Sequence, residues 1–306
     1  MKDWIKAHYG LEIDHLETIS PNVWRLKSSG ETYYLKRAAP AKLREALGLV
    51  QTMSLPFFAP LIPCRNGELF VCDHQDGFFL CLGIETEENL VGDFKLRHYL
   101  SLLAKLHQST FYVARIEEGF YVRLIESYRQ RCWQCASWYE NCLHTGQLSY
   151  YPDPAYWSWQ DLYPRLCQNL ARAERLISQL ESMTKQKETR RLCLTYRHYA
   201  PEHFACKTNQ LIGLDHCRFD SPVADLVALY QRGHFPFVEW EMLETFYFAH
   251  FDWQDCEKLD FAIQLCLVGC LEIQKDPFKQ VEHIFQLQMY LNQLEVILSC
   301  LKLENS

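Results

Sequence analysis

Four side chains have the types and spacing for proton and phosphate chemistry: Lys36, His198, His203 and Asp215. Lys36 lies in TYYLKR, toward the end of the second predicted strand, and offers a fixed positive charge, the kind of group that neutralises a phosphate. Taken alone it also fits an ordinary exposed lysine at a strand end. Glu45 follows on the next helical stretch, where an acid can pair with it. Asp215 ends the apolar run LIGLD. A carboxylate at a strand end beside a loop suits a hard metal ion, and it equally suits a turn cap. His198 and His203 stand in YRHYAPEHF. A neutral imidazole takes a proton near neutral pH and can bind a metal, although hard Mg²⁺ prefers oxygen. The same two histidines also fit plain polar side chains lining a cleft. A lysine, a strand-end carboxylate and a polar loop with a proton acceptor are the parts that phosphoryl transfer from ATP requires.

Other constellations compete. His203, Cys206, His216 and Cys217 crowd one hairpin, which raises zinc. Adjacent strand residues point to opposite faces, so His216 and Cys217 are poor co-ligands. Cys132 and Cys135 form a CWQC pair inside a helical pattern with no partner pair, and read as core or surface thiols. Asp225 in SPVADL reads as a structural acceptor of backbone hydrogen bonds.

The elements that must position these residues fall into two regions. Up to about residue 84 the chain is β-rich. NVWRLKSSGETYYLKR predicts two strands joined by Ser-Ser-Gly, and PAKLREALGLVQTM a helix with Pro at its start. LIPCRNGELFVCDHQDGFFLCLGIE predicts another strand pair, with turns at Asn66-Gly67 and Asp76-Gly77. From about residue 90 helical periodicity takes over in FKLRHYLSLLAKLHQSTF, then over about 117–145 and 158–184, and from Val223 to the end. PEHFACKTNQLIGLDH is a small β island, and TKQKETRR reads as a solvated loop. A small β-rich lobe followed by a large helical lobe is an α+β plan.

The 306 residues carry a net charge of -7 and are 48% hydrophobic. That sign does not favour nucleic acid or an anionic membrane. The N-terminal MKDWIKAHYGLEID lacks an apolar signal core, and no uncharged apolar run is long enough to span a bilayer. The 14 cysteines then read as reduced thiols of a cytoplasmic chain.

The order Lys36 strand, helix, hairpin, LLAKLH helix, then YRHYAPEHF, LIGLDH and FDSPVADL resembles the aminoglycoside phosphotransferase superfamily, a branch of the protein-kinase-like fold. With HYGLEI, PLIPCRNGELFV and LAKLHQST, it looks most like the bacterial spore coat kinase-like proteins of the CotS type. The resemblance covers nearly the whole chain. It implies a two-lobed kinase-like fold, with a nucleotide lobe at 1–84 and a helical lobe at 85–306 carrying a catalytic hairpin at 194–226.

The family's catalytic loop, H-G-D-x-x-x-x-N, falls on Tyr196, Arg197 and His198, and then on His203. His198 thus stands at the catalytic Asp and His203 at the metal-binding Asn, while Asp215 keeps the second metal position. Lys36 matches the ATP lysine, and Glu45 falls about a turn early for its partner. The segment Cys81 to Glu85, with Leu82 and Ile84, would meet adenine through its backbone. No glycine-rich loop precedes Lys36. ATP and Mg²⁺ are the implied cofactors. Without the Asp and the Asn, the expected protein is a pseudokinase with a binding or assembly role, cytoplasmic or deposited on the spore surface among coat proteins. Two rivals stand. One is an active small-molecule phosphotransferase using His198 as base on an alcohol or amine. The other is an interaction protein whose cleft is filled by Tyr196, Tyr199 and Phe204.

Overall fold

The computed structural model describes residues 1–53, 55–84, 92–147, 154–197, 199, 203–231, 238–267, 276–301 and 303. Its contacts divide the chain into two compact units, Met1–Phe111 with Cys193–Asp220, and Tyr112–Leu192 with Ser221–Ser306. The composition-based break at residue 84 is a different division, because the LLAKLH helix and the hairpin segment group with the N-terminal sheet.

In the first unit, β1 (His15–Ser20), β2 (Val23–Ser28), β3 (Glu31–Ala38), β4 (Leu61–Ile62), β5 (Val71–Asp73) and β6 (Asp76–Leu82) form one sheet. Its order is β1-β2-β3-β6-β4, with β5 on β6. The Ser-Ser-Gly hairpin forms as expected: Ser28 pairs with Glu31, and Ser29 and Gly30 both take positive φ, 50° and 85°. That twist suits a tight antiparallel turn. The second turn differs from expectation. Asp73 pairs with Asp76, so the turn residues are His74 and Gln75, with His74 at φ 55°. Gly77 lies inside β6 for a packing reason: a Cβ there would come within 2.7 Å of Leu43 Cδ1 on α2 (Pro40–Met53).

Strand alternation gives the sheet two apolar faces. Leu26, Tyr33, Leu35, Phe78 and Leu80 pack on one face with Ile5 and Tyr9. The latter pair comes from α1 (Lys2–Tyr9), a helix that charge patterning alone does not reveal. Its signal is the spacing of Ile5 and Tyr9, one turn apart on the buried side. On the other face Cys81 joins Ala59 and Ile212, with Tyr34, Leu61 and Ile84 against them.

α3 (Gly92–Thr110) buries Tyr99, Leu100 and Leu103. The latter part of β8 (Thr189–Thr195) pairs with β11 (Arg218–Asp220), and β9 (Phe204–Ala205) with β10 (Gln210–Leu211), which is the expected β island. β10 is tied to the segment before β4: the Ala59 amide donates to Leu211 O at 2.9 Å, and the Leu211 amide donates to Phe57 O at 2.8 Å.

The second unit is mainly helical: α4 (Phe120–Gln147), α5 (Pro154–Thr184), α6 (Val223–Gln231), α7 (Trp240–Leu243), α8 (Asp255–Cys266) and α9 (Pro277–Cys300). β7 (Tyr112–Arg115) pairs with the start of β8, Arg115 opposite Thr189. The solvated run TKQKETRR therefore ends in strand, its last three residues belonging to β8. Among the described residues no helix is long and apolar enough to cross a membrane.

The CWQC thiols and several others lie in this core. Burial pushes Cys132 up to about 11 and Cys266 up to about 12, from an ordinary value near 9. Burial likewise pushes Cys81 up to about 11, with the Asp215 charge adding and Lys36 opposing. The folded chain holds these protons to higher pH than the unfolded chain does. The stability they contribute is complete below pH 9 and is lost as pH rises through about 11 to 12. Melting temperatures by differential scanning fluorimetry should therefore hold level from pH 7 to 9 and fall above it. A flat profile to pH 11 would contradict this account.

Candidate functional site

The site belongs to the first unit and is built on the sheet face that carries Tyr34. Alternation along β3 puts Leu35 into the α1 core and turns Lys36 to the opposite face. There Lys36 Nζ lies 4.0 Å from Asp215 Oδ1, and both side chains are largely buried, 12% and 21% exposed. Asp215 sits in a short 3-10 turn, Leu214–His216, against which α2 packs.

Two features fix that turn. Gly213 precedes it at φ 101°, a left-handed conformation that side chains resist. A Cβ there would lie 3.1 Å from Lys36 Nζ and 3.6 Å from Asp215 Oδ1, so the glycine keeps the space beside the ion pair open. Tyr196, fully buried, donates its hydroxyl to the carbonyl of Ile212, the residue before Gly213. Tyr196 thus ties the loop to the turn that carries Asp215.

The two oxygens of Asp215 differ. Oδ2 lies 3.2 Å from His216 Nε2, and His216 is about half exposed. Oδ1 is buried and accepts no hydrogen bond from the described residues, and Lys36 stands just beyond donor distance. A buried carboxylate oxygen without a donor is costly, and a cation bound at that point would satisfy it. That chemistry fits Mg²⁺, which takes one or two carboxylates and completes its shell with water and phosphate oxygens. Among the described residues no group of three or more His, Cys, Asp or Glu is disposed to hold a metal by itself. Asp215 would therefore share the ion with a phosphate. The close approach of His216 Nε2 to Asp215 Oδ2 is not read from the sequence, where His216 stands only as a zinc candidate. Its signal is adjacency within a turn.

His198 lies outside the described residues, as do the side chain of Glu45 and the Glu85 end of the segment from Cys81. Before His198, Arg197 holds φ 55°. A non-glycine residue in that region costs about 1–2 kcal/mol. The Arg197–Asp220 ion pair, 3.3 Å, offsets part of this cost. His203 is half-buried, and its carbonyl accepts the Ile212 amide at 2.8 Å, which sets it beside the Gly213 turn through the backbone. Tyr196, Tyr199 and Phe204 form one aromatic group. All three are buried around Tyr99 of α3, with ring centroids 6.4, 4.2 and 6.2 Å from it.

Ile84 packs with Tyr34 on the Ala59–Cys81–Ile212 cluster, on the sheet face of Lys36. The Leu82 side chain lies in the α1 core, on the opposite face. Leu82 can therefore offer a ligand only main chain. Its amide already donates to Pro60 O at 2.8 Å, and that of Gly83 donates to Thr32 O at 2.7 Å. In the second unit, Asp225 is buried in the first turn of α6.

No protein-family model matches the sequence. No curated protein matches it either. Solved structures do. An aminoglycoside phosphotransferase from Alicyclobacillus acidocaldarius matches with TM-score 0.68 and 15% identity, over 95% of this chain and 92% of that one. A spectinomycin phosphotransferase, solved with ADP and spectinomycin, matches with TM-score 0.53 and 11% identity, over 97% and 96%. A microcompartment-associated aminopropanol kinase matches with TM-score 0.52 and 14% identity, over 95% and 94%. At such identities the likeness establishes the fold: the chain has the α+β, protein-kinase-like fold of the aminoglycoside phosphotransferases.

Proposed function

We propose that this chain is a pseudokinase that binds a magnesium nucleotide and acts by binding or assembly. The observation that carries the reading is the Lys36–Asp215 pair, 4.0 Å apart, with Asp215 Oδ1 buried and unsatisfied. Lys36 would neutralise phosphate charge, Asp215 would hold Mg²⁺, and the apolar cluster beneath Tyr34 and Ile84 would receive the purine face. The solved relative holding ADP lends support to a nucleotide as ligand. What is missing is the usual pair of oxygen ligands, the Asp carboxylate and the Asn amide, because a histidine stands at each of the two positions on which the family's catalytic-loop pattern falls.

The test is nucleotide binding with and without Mg²⁺, alongside a turnover assay free of contaminating ATPases. Binding without turnover supports the reading. Turnover that disappears in His198→Ala overturns it in favour of an active phosphotransferase with His198 as base.

The spore coat assignment rests on the CotS-type resemblance of the motif order. It predicts that a fluorescent fusion expressed in a spore-forming host collects on the forespore surface. A fusion that stays diffuse through sporulation counts against it.

A further inference from the structure

α9 is apolar on two sides. Ile284, Leu287, Leu291, Leu294 and Leu298 are buried on one side, as a core-facing helix requires. The opposite side should then be polar, and it is not. Phe278, Phe285, Met289 and Val296 are 81%, 58%, 38% and 54% exposed. With Glu282 and Asn292, also exposed, they fall within about 40° of one line along the helix at its usual rotation per residue. From Phe278 to Val296 this stripe runs about 27 Å. Isolated exposed hydrophobes are ordinary, whereas four on one helix line, with only Glu282 and Asn292 among them, mark a contact surface.

The stripe is complementary to itself. Turned end for end about position 287, it sets Phe278 against Val296, Phe285 against Met289, and Glu282 against Asn292. Every apolar residue then meets an apolar one, and the lone carboxylate meets a side-chain amide able to donate to it. A parallel pairing would set Glu282 against its own copy, two like charges at the centre of an interface. The geometry points to a second copy of this chain as the occupant. We infer that α9 pairs antiparallel with α9 of another molecule, making an isologous two-fold dimer.

Sedimentation equilibrium of the full chain from 1 to 100 µM tests this. The expected result is a species of twice the chain mass. Phe285→Glu, at an exposed position, should weaken association at least tenfold, with the circular dichroism melt unchanged, and Met289→Lys should do the same should the first variant misfold. Asn292→Asp should weaken it by facing Glu282 with a second carboxylate, and Glu282→Lys added to that change should restore it. A monomer at 100 µM overturns the inference. So does a dimer indifferent to both Phe285→Glu and Met289→Lys. Failure of the charge swap to rescue overturns the antiparallel register.

Discussion

In calorimetric titration, ATP with Mg²⁺ is expected to bind the wild-type chain, and Asp215→Asn to weaken that binding by roughly 10- to 150-fold. The magnitude follows from the interaction lost: a hydrogen bond or contact to a charged group contributes about 1.5–3 kcal/mol, and each 1.4 kcal/mol is about tenfold in affinity. Asn is nearly isosteric and leaves the 3-10 turn in place, so the loss reports charge. Lys36→Ala should weaken binding of ATP with a similar magnitude. Its effect should shrink for adenosine if, as proposed, Lys36 meets the phosphates and Tyr34 the ring. Omitting Mg²⁺ should make wild type and Asp215→Asn alike, since the carboxylate then has no metal to hold. Turnover should stay at the blank in every variant, because removing a general base costs about 10²–10⁴ in rate. Equal affinity in wild type and Asp215→Asn with Mg²⁺ present would end the metal role assigned to Asp215.

Glu257→Ala should be the most destabilising single change in the second unit, by about 3–5 kcal/mol. Arg191 donates Nε to Glu257 Oε1 at 3.0 Å and a second nitrogen to Oε2. It also donates to Asp252 O at 2.8 Å, and its guanidinium lies 5.1 Å from the Phe251 ring centroid. Only 15% of Arg191 and 8% of Glu257 is exposed. The same carboxylate accepts the Gln254 amide at 2.7 Å and so closes the capping box of α8. Truncating Glu257 strands a buried guanidinium and uncaps a helix at once. Glu257→Gln keeps the cap and should cost less. Urea unfolding measures both, and a loss below about 1 kcal/mol for Glu257→Ala would mean that water reaches Arg191 when its partner leaves.

Much of the site was legible in the chain. Lys36 and Asp215 stand out because an apolar run stops at a charge, a local signal, but neither ends a strand: β3 runs on to Ala38, and β10 stops at Leu211, which leaves Asp215 in the 3-10 turn beyond it. Their meeting, 4.0 Å apart, is a long-range fact between residues far separated in sequence. The order of motifs suggested it, and the sheet delivers it. Turn chemistry was legible where the glycine serves the turn, as at Ser29–Gly30. It misled at Gly77, where the glycine serves the approach of α2. The Leu82 side chain shows the same limit: its position near the end of β6 is local, but the face it takes is set by strand alternation against α1.

By itself the sequence determined the α+β plan and most of the strand–helix order, because these rest on periodicity within short windows, and the kinase-like fold through a motif order that runs over nearly the whole chain. Tertiary structure alone decided that Tyr196 clips the Asp215 turn, that the two oxygens of Asp215 differ, and that α9 leaves an apolar stripe uncovered. Those depend on which groups folding brings together and which it leaves without a neighbour, and no window of sequence contains that information.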